Sequence, residues 1–290
     1  MAETACLDHV GLVGRDIGAM TAAYRRLGFA PTPPQPLMGR DPATGVAVSL
    51  QQTSAHLVLE SGYIELSAVH TDSPDHHLAT WLARREGMHI LAFGVEDIRA
   101  AHDRCAAGGL APRPIAQASR LIAYGGRHGE ARFEWFMLEP ESSPEGLVCF
   151  VRHVTPELVF QPAVQRHPNG ALALEGMYLV ATDPPGLAQR LAAMTAGTWR
   201  AVPDGARVEV ARGWLECLDP EALQRRFPGS AAPACPSMAG LSVRTRDLAV
   251  AARCLAATGV RAREDGRRLW VEARDCAGCL FEFTGDASAR

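Results

Sequence analysis

The sequence predicts an α+β protein built from four repeated strand–helix–strands modules set in pairs. Three observations predict it: an opening segment patterned as a buried strand and a capped helix, the return of that segment three more times, and a closing strand of matching frame in each copy. Residues 7–28, LDHVGLVGRDIGAMTAAYRRLG, are the reference copy. LDHVGLV is almost wholly apolar, as a strand buried on both faces is. Asp16 caps the helix that follows, Tyr24 and Leu27 fit its inner face, and Gly28 stands where a left-handed residue ends it.

A Pro-rich connection, PTPPQPLMGRDPATG, leads to the extended runs VAVSLQQ, AHLVLES and GYIELSAV. The second copy opens at Gly87 with MHILAFGVEDI, continues through the helix AAHDRCAA, and closes with RLIAYGG, ARFEWFML and GLVCFVRHV. The third opens at Glu175 (GMYLVATDP, LAQRLAAM, ARVEVARGWLECL) and the fourth at Met238 (AGLSVRTRDL, AVAARCLAA, RRLWVEA, GCLFEF). The closing strands beginning at Gly62, Gly146 and Gly213 share one frame, and the fourth puts its acid, Glu282, one residue later. TPELVFQPAVQRHPNGA has no clear period and separates copies two and three. The expected domains are therefore 1–168 and 169–290. Paired modules curl into a curved mixed sheet, with helices on the convex side and inward-facing groups converging in the hollow.

Composition sets limits on function. Net charge is −3, with 29 basic and 32 acidic residues well mixed, which argues against nucleic-acid or membrane-surface partners. The start MAETACLDH lacks the basic and apolar regions of a signal peptide, and no apolar run is long enough to span a bilayer. The eight cysteines read as reduced thiols, so a cytoplasmic protein is expected. Cys276 and Cys279 form the only C-x-x-C, read as a turn between strands in preference to a zinc or redox pair.

LDHVGLVGRDI, with its histidine on an opening strand, and GYIELSAV, with its glutamate on a closing strand, resemble the vicinal oxygen chelate superfamily. The implied architecture is the glyoxalase/bleomycin-resistance/dioxygenase-like fold: four βαβββ modules paired into two domains with curved mixed sheets. The stretch HVTPELVFQPAVQRHPNGA is similar to bacterial glyoxalase-like proteins of two tandem domains. The resemblance implies a divalent metal (Zn, Fe, Mn or Ni) held by such a histidine and carboxylate with an equivalent pair from the partner module. That metal would grip neighbouring oxygens of a small-molecule substrate.

His9 and Glu65 match the family positions. A carboxylate within YIELSAV is costly to bury unless it is paired or metal-bound, with an arginine partner as the alternative. For His9 the alternative is a hydrogen-bonded core residue. Module two departs. His9 lies seven residues before Asp16, but seven before Asp97 is Ile90, so strand parity turns His89 away from the hollow. Cys149 replaces the second carboxylate and is read as a wall residue or substrate contact. His56 shares the face of Glu65 if Ser61-Gly62 forms a two-residue hairpin, and is the third candidate metal ligand. His153, ~13 Å beyond Cys149 along an ideal strand, is the candidate acid–base group. Arg120, beside Ser119, and Arg132 are candidates to bind a substrate carboxylate. In the second half the same count gives Gly176 and Gly240, while Glu216 and Glu282 remain. That half reads as a structural partner or a wall of the ligand cavity, and an extradiol route through it is disfavoured. The expectation is a metal-dependent lyase, isomerase or oxygenase, monomeric or homodimeric, acting on a small oxygenated molecule. The alternative is a metal-free sequestering protein of the bleomycin-resistance type, its cleft lined by Trp81, Trp135, Tyr63 and Phe136.

Overall fold

A computed structural model describes residues 3–41 and 43–285. Module one is β1 (Cys6–Gly14), α1 (Ile17–Arg26), β2 (Gln35–Arg40), β3 (Ala47–Val58) and β4 (Tyr63–Val69). A single turn, α2 (Ala79–Leu82), leads to module two: β5 (Gly87–Gly94), α3 (Ile98–Ala107), β6 (Ala116–Ile122), β7 (Gly129–Met137) and β8 (Leu147–His153). After the short α4 (Pro156–Val159) comes module three: β9 (Ala171–Val180), α5 (Pro184–Thr195), β10 (Thr198–Val202), β11 (Gly205–Glu209) and β12 (Trp214–Leu218). Then α6 (Pro220–Arg226) precedes module four: β13 (Ser237–Thr245), α7 (Leu248–Ala257), β14 (Ala262–Glu264), β15 (Arg268–Val271) and β16 (Leu280–Gly285). This is the glyoxalase/dioxygenase-like α+β fold.

The helix ends follow the sequence. Asp16 accepts from the Ala19 N–H at 3.0 Å, and Asp97, Asp183 and Asp247 cap α3, α5 and α7 in the same way. Two features depart from the sequence reading. The Pro-rich connection contains β2, where Pro36 sits at a register shift opposite β3 and its missing N–H is not required. The runs VAVSLQQ and AHLVLES are one strand, β3, carried through Gln51 at φ +54°.

The two halves close differently. β1-β4-β3-β2-β6-β7-β8-β5 forms a closed barrel, sealed where Met38 and Gly39 pair with Ser119 and Ala118. β10-β11-β12-β9-β13-β16-β15-β14 is an open eight-stranded sheet. Its inner face is filled by Ala222 and Leu223 of α6 with Phe227, packed against Tyr178 and Trp270. The outward faces share one apolar core with α1, α3, α5 and α7, running from Leu7, Phe93 and Phe150 to Met177, Leu241 and Phe283. No described helix is long and apolar enough to cross a membrane.

Candidate active site in the barrel

Strand β1 supplies two adjacent inward groups because it is bulged. Leu7 pairs with Phe93 and His9 with Ala92, leaving Asp8 as the extra residue. A bulge breaks the alternation that would send Asp8 to the opposite face. The His9 Nδ1–H donates to Asp8 Oδ1 at 2.7 Å. His153 Nε2 reaches both Asp8 oxygens at 3.1 Å from the other side. Burial alone would raise the Asp8 carboxyl, but the charge and hydrogen bond of His153, with those of His9, hold it well below the usual range. With Nδ1 committed to Asp8, His9 turns its Nε2 toward Glu65.

Glu65, 8% exposed, is held by neutral donors. Its Oε1 accepts from Gln52 Nε2 at 3.1 Å, Ser54 Oγ at 2.9 Å and the Ser67 hydroxyl. Its Oε2 lies 3.6 Å from His9 Nε2, too long for a hydrogen bond. Among the described residues no arginine or lysine pairs with it.

His56 stands directly opposite Glu65, since the β3–β4 pairing sets Val58 against Tyr63 and His56 against Glu65. The turn residues are Glu60 and Ser61, closed by the Leu59 N–H donating to Gly62 O at 3.0 Å. The expected Ser61-Gly62 turn is thus displaced by one residue, which shifts the register by two and preserves the facing. Arg120 Nη1 donates to His56 Nε2 in a short contact. Burial, reinforced by the Arg120 charge, pushes His56 well below the usual imidazole value, so it is neutral and its lone pair is engaged.

His9, Gln52, Glu65 and Arg120 line a cavity of about 90 Å³ inside the barrel, walled also by Tyr63, Ile90, Phe133, Leu147 and Cys149. His77 and Trp135 line both this cavity and an outer vestibule of about 440 Å³. Tyr63 stacks on His9 with ring centroids 4.3 Å apart. Burial, then the charges of His76 and Arg113, pushes His77 down to about 3.

The remaining candidates separate. His89 faces away and bonds Arg85 O at 2.8 Å, while Ile90 lines the cavity and packs over Gly11, where a Cβ would meet it at 2.7 Å. Cys149 is in the wall, its thiol pushed up by burial and kept neutral. His153 lies outside the cavity, in a cleft of about 310 Å³ with Cys6 and Arg212, and meets the site through Asp8 and through edge-on contacts with the wall residues Tyr63 and Phe133. Arg132 is exposed, Trp81 is core, and Phe136 lines the vestibule. Cys276 and Cys279 are buried free thiols beside a short helical turn at 273–275. Gln52, Ser54 and Ser67 do not stand out in the sequence, because QQTSAH is polar at consecutive positions and only the strand parity shared with His56 puts Gln52 and Ser54 on the face of Glu65. Asp8 was missed because parity cannot show a bulge.

In the open sheet the corresponding acids are paired with arginines. Glu216 meets Arg207 at 3.0 Å and, closer still, Arg226. Glu282 meets Arg268 at 3.0 Å and accepts from Tyr178 at 2.8 Å. Over Gly176 lies the Trp214 ring, 2.2 Å from where a Cβ would be. This half therefore contributes a packed inner face.

A glyoxalase-like domain model matches residues 7–195, and the chain belongs to that family, within the vicinal oxygen chelate superfamily. No curated protein matches it. Among solved structures it is similar to a hypothetical protein from Staphylococcus aureus (7% identity, 97% of this chain and 100% of that one, TM-score 0.64). It is also similar to a Mn(II)-bound glyoxalase from Novosphingobium aromaticivorans (12%, 98% and 83%, 0.59) and to homoprotocatechuate 2,3-dioxygenase from Arthrobacter globiformis (14%, 98% and 80%, 0.55). Identities this low carry the fold alone.

The donor set fits a two-point metal grip. Two ligands each ~2.1 Å from a tetrahedral ion stand roughly 3.4 Å apart, close to the 3.6 Å between His9 Nε2 and Glu65 Oε2. Asp8 behind His9 is the carboxylate that commonly orients a metal-bound imidazole. Among the described residues no three His, Cys, Asp or Glu side chains converge on one point, so the barrel offers two protein ligands.

Proposed function

We propose that the protein is a glyoxalase-like enzyme acting on a small oxygenated molecule in the barrel cavity, with His9 and Glu65 holding a divalent ion there. The observation that carries this reading is the 3.6 Å approach of two lone-pair donors, one oriented by Asp8 and neither neutralised by a cation. When bound, such an ion acts as a Lewis acid on substrate oxygens. The chain's own groups do the rest. Asp8 fixes the tautomer of His9, while Gln52, Ser54 and Ser67 fix the rotamer of Glu65. Tyr63, Ile90 and Cys149 exclude water from the inner end. His153 serves as a positioning residue through Asp8, and His56 leaves the ligand set to orient Arg120. In this reading 1–168 is the site-bearing domain and 169–290 the supporting one.

Equilibrium dialysis against Mn²⁺ tests it. The wild type is expected to retain one equivalent and His9→Ala none. Absence of Mn²⁺ from the wild type refutes the metal part. The second reading, a metal-free binding protein, is favoured by Ile90 and Cys149 at the partner module's ligand positions and by Arg120 on the lone pair of His56. It expects stabilisation by organic ligands and none by metals.

A further inference from the structure

Arg120 is 5% exposed, lines the inner cavity, and has no carboxylate partner among the described residues. Its one hydrogen bond goes to neutral His56, and its Nε and Nη2 are buried without acceptors. Tyr63 and Phe133 stand 5.8 and 5.3 Å from its Cζ and give only weak cation–π compensation. A buried guanidinium with two open donors is a costly arrangement that a planar two-oxygen anion relieves.

Resting on the proposed site, we infer that the substrate is a short oxygenated monocarboxylate, with its carboxylate on Arg120 and its reacting oxygens toward His9 and Glu65. Charge supports one negative charge. Arg120 is the one guanidinium among the described groups that line the cavity and has no acid of its own, so a single carboxylate pairs it without leaving a second charge to bury. Size supports a short head group. At about 15 Å³ per water, the cavity of about 90 Å³ takes roughly six non-hydrogen atoms, and any longer body runs past His77 and Trp135 into the vestibule. The proximity of the two ends supports oxygenation close to the carboxylate, since His9 and Arg120 both pack against Tyr63, at 4.3 and 5.8 Å.

Lactate and pyruvate, against lactamide and pyruvamide, are the probes, read by thermal shift on protein stripped over a chelating resin. The acids are expected to raise Tm saturably and the amides not. Arg120→Met is expected to abolish the response and, by removing an unpaired charge, to raise the ligand-free Tm by roughly 2–4 °C. Arg120→Lys keeps the charge without the fork and is expected to weaken acid binding at least tenfold. Stabilisation by acids that requires Mn²⁺ and survives in Arg120→Met overturns the inference while leaving the metal site standing. Stabilisation by acids in a protein that never takes Mn²⁺ upholds the inference and removes the metal.

Discussion

Glu65 in the barrel and Glu216 in the open sheet occupy the same frame of repeated modules, yet their surroundings are opposite. Glu216 faces two arginines, and its neighbour Glu282 faces another with a tyrosine hydroxyl. Glu65 faces two serines, a glutamine and a histidine, none of which carries a fixed positive charge. The lesson is one of compensation. A buried acid paired with arginine is neutralised within the fold, whereas one held only by dipoles keeps its field for something that enters the cavity. The same asymmetry holds for cations: Arg207 and Arg268 have carboxylates, and Arg120 has an imidazole.

The comparison breaks most visibly at Glu216. Glu216→Gln removes the acid shared by Arg207 and Arg226, which retain only the more exposed Glu209 at 2.7 Å and Asp204 at 3.8 Å, and a loss of about 2 kcal/mol in chemical denaturation is expected. A loss below ~1 kcal/mol would mean that these arginines are solvated. A smaller effect sharpens the parity argument. His89 is buried and pushed down to about 4 from the usual 6.5, first by burial and then by Arg85. Between those values the unfolded chain takes up a proton that the folded chain does not, so stability falls as pH falls from 6.5 toward 4. His89→Leu is expected to flatten the slope of unfolding free energy against pH across that window. An unchanged slope would show that His89 titrates normally.

Much of this was legible in the sequence. The repeat gave the modules, aspartate caps fixed the helix starts, and counting from those caps turned His89 outward and Ile90 inward. What escaped has identifiable physical causes. A bulge at Asp8 overrides period-two alternation, so the carboxylate orienting His9 was invisible. The pairing of Arg120 with His56 joins residues 64 positions apart on β3 and β6, strands that flank β2 and come within side-chain reach only when β2 pairs with β6. The packing of α6 onto the second sheet depends on Phe227 finding Tyr178, a contact no local pattern encodes.

The most direct test of the claim that the barrel acid awaits an ion and the sheet acids do not is Mn²⁺-induced stabilisation in matched variants. Glu282→Gln is a suitable control, because Arg268 retains Asp265 at 2.9 Å. A saturable rise in Tm is expected for the wild type and Glu282→Gln, and none for Glu65→Gln. A rise that persists in Glu65→Gln, or its absence from the wild type, would contradict the account.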